Sequence, residues 1–208
     1  MSNDQPAIND RPIEVTPDGD RIWCNKVGEI HRESGPAIEH ANGDKDWYLN
    51  DRLHRDGAPA SECANGDKFW YRHDNLHRED GPAVDRADGY KAWYQHDDLH
   101  REDGPAIECA GRYKAWYRYG KQHREDGPAV ERVNGDKFWY QKDKLHREDG
   151  PAVECADGYK AWYRHGELHR KDGPAVELAS GTIEYWIDGE RVAPPKAASV
   201  PKPRRAGR

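Results

Sequence analysis

Residues 83–105 read AVDRADGYKAWYQHDDLHREDGP, and the Asp88-Gly89 pair near the middle decides how the rest folds. An Asx-Gly step between two β-prone runs is a strong signal for a two-residue type I′ hairpin turn, because both turn positions need positive φ. Centring the turn there pairs Ala87 with Tyr90, Arg86 with Lys91, Asp85 with Ala92, Val84 with Trp93 and Ala83 with Tyr94. Side chains alternate between the faces of a strand. One face is therefore expected to carry Val84, Arg86, Lys91 and Trp93, and the other Ala83, Ala87, Tyr90, Ala92 and Tyr94. Leu99 and the His-Arg-Glu-Asp-Gly-Pro phrase then lead, through a turn, to the next hairpin.

Working outward, the same phrase returns. His-Arg-Glu-Asp-Gly-Pro-Ala stands intact at 77–83, 100–106, 123–129 and 146–152, with looser copies at His31, His54 and His169. The seven histidines are each 23 residues apart, and Trp47, Trp70, Trp93, Trp116, Trp139 and Trp162 keep the same step. The Asx-Gly turn recurs at Asn42-Gly43, Asn65-Gly66, Asn134-Gly135 and Asp157-Gly158. At both ends the pattern degrades, as the capping units of an array do. The expected fold is all-β: an elongated array of hairpins in one twisted sheet with a 23-residue period. Seven repeats and a partial closing one cover residues 12–192, between a flexible segment 1–11 and a tail 193–208. Two strands per repeat at ~4.8 Å spacing advance the array by ~10 Å.

Composition agrees with stacking rather than a globular core. Leu, Ile, Val and Phe number only 26 of 208 residues, against 8 Trp and 11 Tyr. So few aliphatics would ordinarily indicate disorder, but disordered chains are poor in large rings. The 193–208 tail holds five basic side chains, four prolines and no acid, and reads as disordered; residues 1–191 carry a net charge of −11. Such a body is poorly suited to phosphate backbones, which are held by Lys and Arg. No apolar run is long enough for a membrane helix, and the first residues lack a signal-peptide pattern. A cytoplasmic location is expected.

The period, the paired aromatics, the Asx-Gly turn and the fixed downstream His resemble the MORN repeat family, in its bacterial and viral variant form. Tyr117, Gly120 and His123 keep that family's aromatic–Gly–His spacing, as do Tyr163, Gly166 and His169. Arg after the His, and Asp-Gly-Pro-Ala in place of a Gly-x-Gly step, depart from it. The resemblance implies an elongated β-sheet scaffold that binds proteins or phospholipids, and, among bacterial variants, antitoxin or immunity factors.

No residue set points to catalysis, a cofactor or a metal. Equivalent histidines ~10 Å apart are too distant to share one zinc, so each is expected to hydrogen-bond its own turn or a nearby carboxylate. The arginines that follow them are expected to form exposed ion pairs, each worth ~0–1 kcal/mol. Cys63, Cys109 and Cys155 recur every 46 residues, and with Cys24 they read as free thiols of a reducing compartment. The expected function is that of a non-enzymatic scaffold for a protein partner, in the role of an antitoxin, immunity factor or host-factor inhibitor. The Trp column is read as the packed core, and Tyr71, Tyr94, Tyr117, Tyr140 and Tyr163 as the partner-binding face. Two alternatives are a phospholipid-surface scaffold assisted by the basic tail, which the acidic body disfavours, and an acidic mimic of nucleic acid.

Overall fold

The computed structural model describes residues 12–195, so the expectations for 1–11 and for nearly all of the 193–208 tail lie outside the described residues. Within that range the chain is all-β, and no helix is present that could cross a membrane. Seventeen short strands form one antiparallel meander, joined in sequence order from Glu14–Val15 to Glu190–Val192. Two of them come from each repeat, as in Val84–Asp85 and Tyr90–Ala92, followed by Ile107–Cys109 and Tyr113–Ala115.

Each full repeat also contains a second hairpin that the sequence reading missed. Tyr94–Gln95 pairs with Asp98–Leu99, and five further copies run from Tyr48–Leu49 with Arg52–Leu53 to Tyr163–Arg164 with Glu167–Leu168. Trp93 is the switch between the two systems. Its N–H donates to Ala106 O across the main sheet at 2.8 Å, while its carbonyl accepts from His100 N at 3.0 Å.

The second hairpins hold the type I′ turns. His96 and Asp97 both have positive φ, 52° and 66°, as do Asn50 with Asp51 and Lys142 with Asp143. Side chains larger than glycine are strained there, and bonds from the preceding repeat hold them in place. Asp97 N donates to Leu76 O at 3.0 Å, and Leu76 N donates back to Asp97 Oδ1 at 2.7 Å.

The Asx-Gly turn is of another kind, and this corrects the expected register. Arg86 N donates to Tyr90 O and Gly89 N to Arg86 O, enclosing a three-residue loop, Ala87-Asp88-Gly89. Only Gly89 has positive φ, and Asp88 Oδ1 accepts from Tyr90 N at 3.0 Å. Val84 consequently sits opposite Ala92, and Asp85 opposite Lys91. A shift of one residue moves a strand's side chains to the other face. Val84 and Arg86 therefore share a face with Tyr90, Ala92 and Tyr94, while Ala83, Asp85, Lys91 and Trp93 occupy the opposite one.

Both faces are packed, thinly. On the tyrosine face Val84, Ala92, Ile107 and Ala115 are buried, with Tyr94, Leu99 and Tyr117 against them. Val153, Ala161 and Val176 repeat the arrangement further along. The aliphatic core thus lies on the face that was expected to stay partly open. On the tryptophan face a column of seven alanines, from Ala37 to Ala175, is 0% exposed.

The histidine column links one repeat to the next. Nδ1 of His31, His77, His100 and His146 accepts a backbone N–H from Asn50, His96, Tyr119 and His165 in the following second hairpin. These partners lie in the next repeat, not in each histidine's own turn, while the expected carboxylate contact is present at Nε2 of His123, 3.4 Å from Glu125 Oε1. The rings also meet forward: His54 stacks on His73 and His146 on His165, at 4.3 and 4.5 Å between centroids, and His77 meets His96 tilted at 4.5 Å. At the far end His169 Nδ1 keeps the pattern, accepting from Asp188 N at 3.2 Å, with Asp188 Oδ1 2.7 Å from the same nitrogen.

Burial, aided by the neighbouring His165 and Arg164, holds the pKa of His146 below the ordinary histidine value, with Glu148 opposing. The unfolded chain then binds this proton more readily than the fold does. Its stabilising contribution is complete above pH ~6.5 and is lost as pH falls toward the folded-state pKa. Chemical denaturation at neutral and mildly acidic pH should show a drop in midpoint on acidification. His146→Asn keeps an acceptor but cannot titrate, so its drop should be smaller.

Candidate functional site

On the tryptophan face every guanidinium of the His-Arg column is held flat. Arg101 Cζ lies 4.0 Å above the Trp93 ring, and the same contact, between 3.9 and 4.1 Å, joins Arg32, Arg55, Arg78, Arg124, Arg147 and Arg170 to the tryptophan before each. A glycine lies against six of the seven guanidinium groups; at Arg55 the corresponding residue is Ala58, and the guanidinium still lies 3.9 Å from the Trp47 ring centre. A Cβ at Gly104 would come within 2.9 Å of Arg101 Cζ, and one at Gly127 within 2.9 Å of Arg124 Cζ. These glycines do not have the positive φ of the turn glycines; they leave room for the guanidinium.

In its plane the guanidinium is engaged through Nε and Nη1. Arg124 Nε donates to Asp126 Oδ1 at 3.0 Å, and Nη1 to Pro128 O at 3.2 Å and to Glu131 Oε1 at 3.0 Å. These arginines are half-buried structural ties, not the exposed ion pairs expected. Beside them runs a cross-strand row of alternating charge: Lys91 opposite Glu108, Glu108 opposite Lys114, Lys114 opposite Glu131.

The tyrosines predicted to bind a partner each open a second hairpin, at Tyr71, Tyr94, Tyr117, Tyr140 and Tyr163, and each is half-buried. Tyr94 and Tyr117 pack on one aliphatic cluster and Tyr163 on the other. Burial raises the pKa of Tyr71, Tyr94 and Tyr140, and pushes Tyr90 up to about 12. Those four phenols therefore stay neutral around pH 7, suited to apolar contact with a hydroxyl for hydrogen bonding.

Tyr117 and Tyr140 share a cleft of about 270 Å³ with Tyr113, Phe138, Gln122 and Arg132. Gln122 Nε2 donates to Tyr117 Oη at 3.1 Å, and the Arg132 guanidinium lies 4.9 Å from the Phe138 ring. The sequence reading missed Tyr113, Phe138, Gln122 and Arg132 as a set. Its signal was faint: the position of Tyr113 holds Tyr90 and Tyr159 in two other repeats but Asp44, Asp67 and Asp136 in three more. Those aspartates have a different use, for Asp67 Oδ1 accepts from Ala87 N at 2.8 Å and ties adjacent turns together.

The four cysteines, Cys24, Cys63, Cys109 and Cys155, are unpaired. Burial raises the thiol pKa of Cys24, Cys63 and Cys155, with neighbouring carboxylates adding to it. They therefore remain protonated thiols and weak nucleophiles. No family model matches this chain, and no curated protein matches it.

Arg124→Lys keeps the charge but loses the flat stack and the forked bonds. It should cost ~1–2 kcal/mol in denaturant unfolding, and Gly127→Ala should cost less, because Ala58 stands at the equivalent position beside an Arg55 that keeps its tryptophan and glutamate contacts. Lys114→Gln, on the same face and outside every ion pair within 4 Å, should stay within about 0.5 kcal/mol.

Proposed function

We propose that this chain is a non-enzymatic, MORN-like repeat scaffold that binds a protein partner through its tyrosine face. The observation that carries the reading is the cleft of Tyr113, Tyr117, Phe138 and Tyr140, where aromatic rings with hydroxyl and amide groups between them line a shallow recess. Tyrosines of this kind supply contact area at low entropic cost and are enriched at protein interfaces. The tryptophan face is a weaker candidate, because its guanidinium groups already bind within the chain.

A role as an antitoxin, immunity factor or inhibitor of a host protein fits such a scaffold, because it would act by occupying a surface, without turnover. Four unpaired thiols suit a reducing compartment, and the cytoplasm belongs to the same proposal.

The test compares affinity capture by the wild-type chain and by Tyr117→Ala with Tyr140→Ala. A protein retained by the wild type should be lost from the double variant, at a temperature where circular dichroism shows both chains folded. Retention of the same proteins by both would remove the tyrosine face from the reading.

A further inference from the structure

A binding site for one partner must break the translational sameness of an array, and here the sameness breaks in residues 100–145. Residues 77–99 carry three basic and six acidic side chains, and residues 146–168 three and five. Residues 100–122 reverse this with five basic and three acidic, and 123–145 are balanced at five each. The reversal is concentrated on the second hairpins. Arg118 is the cross-strand partner of Lys121, and Lys144 that of Gln141, with Lys142 in the turn between Gln141 and Lys144.

In residues 77–99 the positions of Arg118 and Lys121 hold Gln95 and Asp98. All four cations are exposed, and none has a carboxylate within 4 Å among the described residues. Asp143, beside them, is committed elsewhere: its Oδ1 accepts from Gln122 N at 2.8 Å.

Apolar exposure breaks the pattern in the same place. Between residues 50 and 177 the large apolar side chains that stand exposed are Tyr119, at 69%, and Val133, at 75%. Tyr119 lies in the turn between Arg118 and Lys121. The aromatic cleft described above belongs to the same two repeats.

We propose that Arg118, Lys121, Lys142 and Lys144, with Tyr119 among them, dock a short acidic segment of a protein partner. The proposal rests on the protein-binding reading and specifies the partner's chemistry. Size favours a peptide over nucleic acid. Two repeats span ~20 Å, about six residues of extended chain. A longer polyanion would run on to Asp98 at one end, where like charge repels it, and at the other to Glu167 opposite Arg164, where no net positive charge continues the patch.

Binding of fluorescein-labelled hexaglutamate to the full chain, followed by anisotropy, tests this. Arg118→Gln with Lys121→Asp installs the pair already present in residues 77–99, so the hairpin has a folded precedent within the array. The wild type should bind at low salt and release the peptide as salt rises. The double variant should bind about tenfold more weakly. Arg72→Gln with Asn75→Asp, the same residues placed two repeats earlier, should leave binding unchanged.

Equal binding by wild type and the Arg118/Lys121 variant, or no binding by either, overturns the proposal. So does tighter binding of a DNA duplex than of hexaglutamate, or salt-sensitive self-association abolished by the same swap. The first would assign the patch to nucleic acid, the second to another copy of the chain. None of these measurements involves Tyr117 or Tyr140, so failure here is distinguishable from failure of the tyrosine-face reading.

Discussion

The guanidinium laid over a tryptophan ring is the contact on which the array depends. Strands two or three residues long cannot sustain a sheet by themselves, and a lone hairpin is marginal in water. Arg101 joins three pieces of chain that would otherwise meet only through backbone. It lies on Trp93 from the preceding hairpin, bonds Pro105 O in its own loop, and reaches Glu108 on the next strand. Its backbone N–H also donates to Tyr117 O at 3.3 Å, one repeat further on. This arrangement accounts for the invariance of the His-Arg-x-Asp-Gly-Pro-Ala phrase in four repeats. Arg supplies the planar fork, Gly the space beside it, Pro a carbonyl, and Ala the only side chain small enough for the enclosed position beneath.

The interior is correspondingly slight. No large side chain is fully enclosed among the described residues, and the buried set is mostly alanine with a valine or isoleucine in some repeats. Stability is therefore a sum over joints between neighbours. Three kinds of bond recur at these joints: histidine Nδ1 to the next turn in five of the seven repeats, paired second-hairpin bonds such as Leu76 with Asp97 where the turn holds an aspartate, and the arginine tie. A chain with so few aliphatic residues can fold on these terms because each unit has to satisfy only the units on either side.

The period, the all-β class and the hairpin at each Asx-Gly pair were legible in the sequence, because turn residues and rings repeat in fixed columns. The register was not. Asp88-Gly89 fits a two-residue turn and a three-residue loop equally well by composition, and the choice rests on Asp88 Oδ1 bonding Tyr90 N–H. The true type I′ turns were hidden for the opposite reason. His96-Asp97 and Lys142-Asp143 lack the glycine that marks such turns, and contacts from the preceding repeat help to hold them. The tyrosine column was visible, but its cleft was not, since Tyr113 and Phe138 occupy positions that other repeats fill differently. Nor could spacing between equivalent histidines reveal His77 against His96, which belong to different columns.

The meander has a mechanical consequence. Its strands pair strictly in chain order, so the inter-strand hydrogen bonds lie along the line joining the two ends of the array. Tension between those ends pulls along the bonds instead of sliding strands past one another, and so loads them singly. Under such pull the array is expected to open like a zip, one 23-residue tooth after another, with the arginine on its tryptophan as the clasp of each tooth.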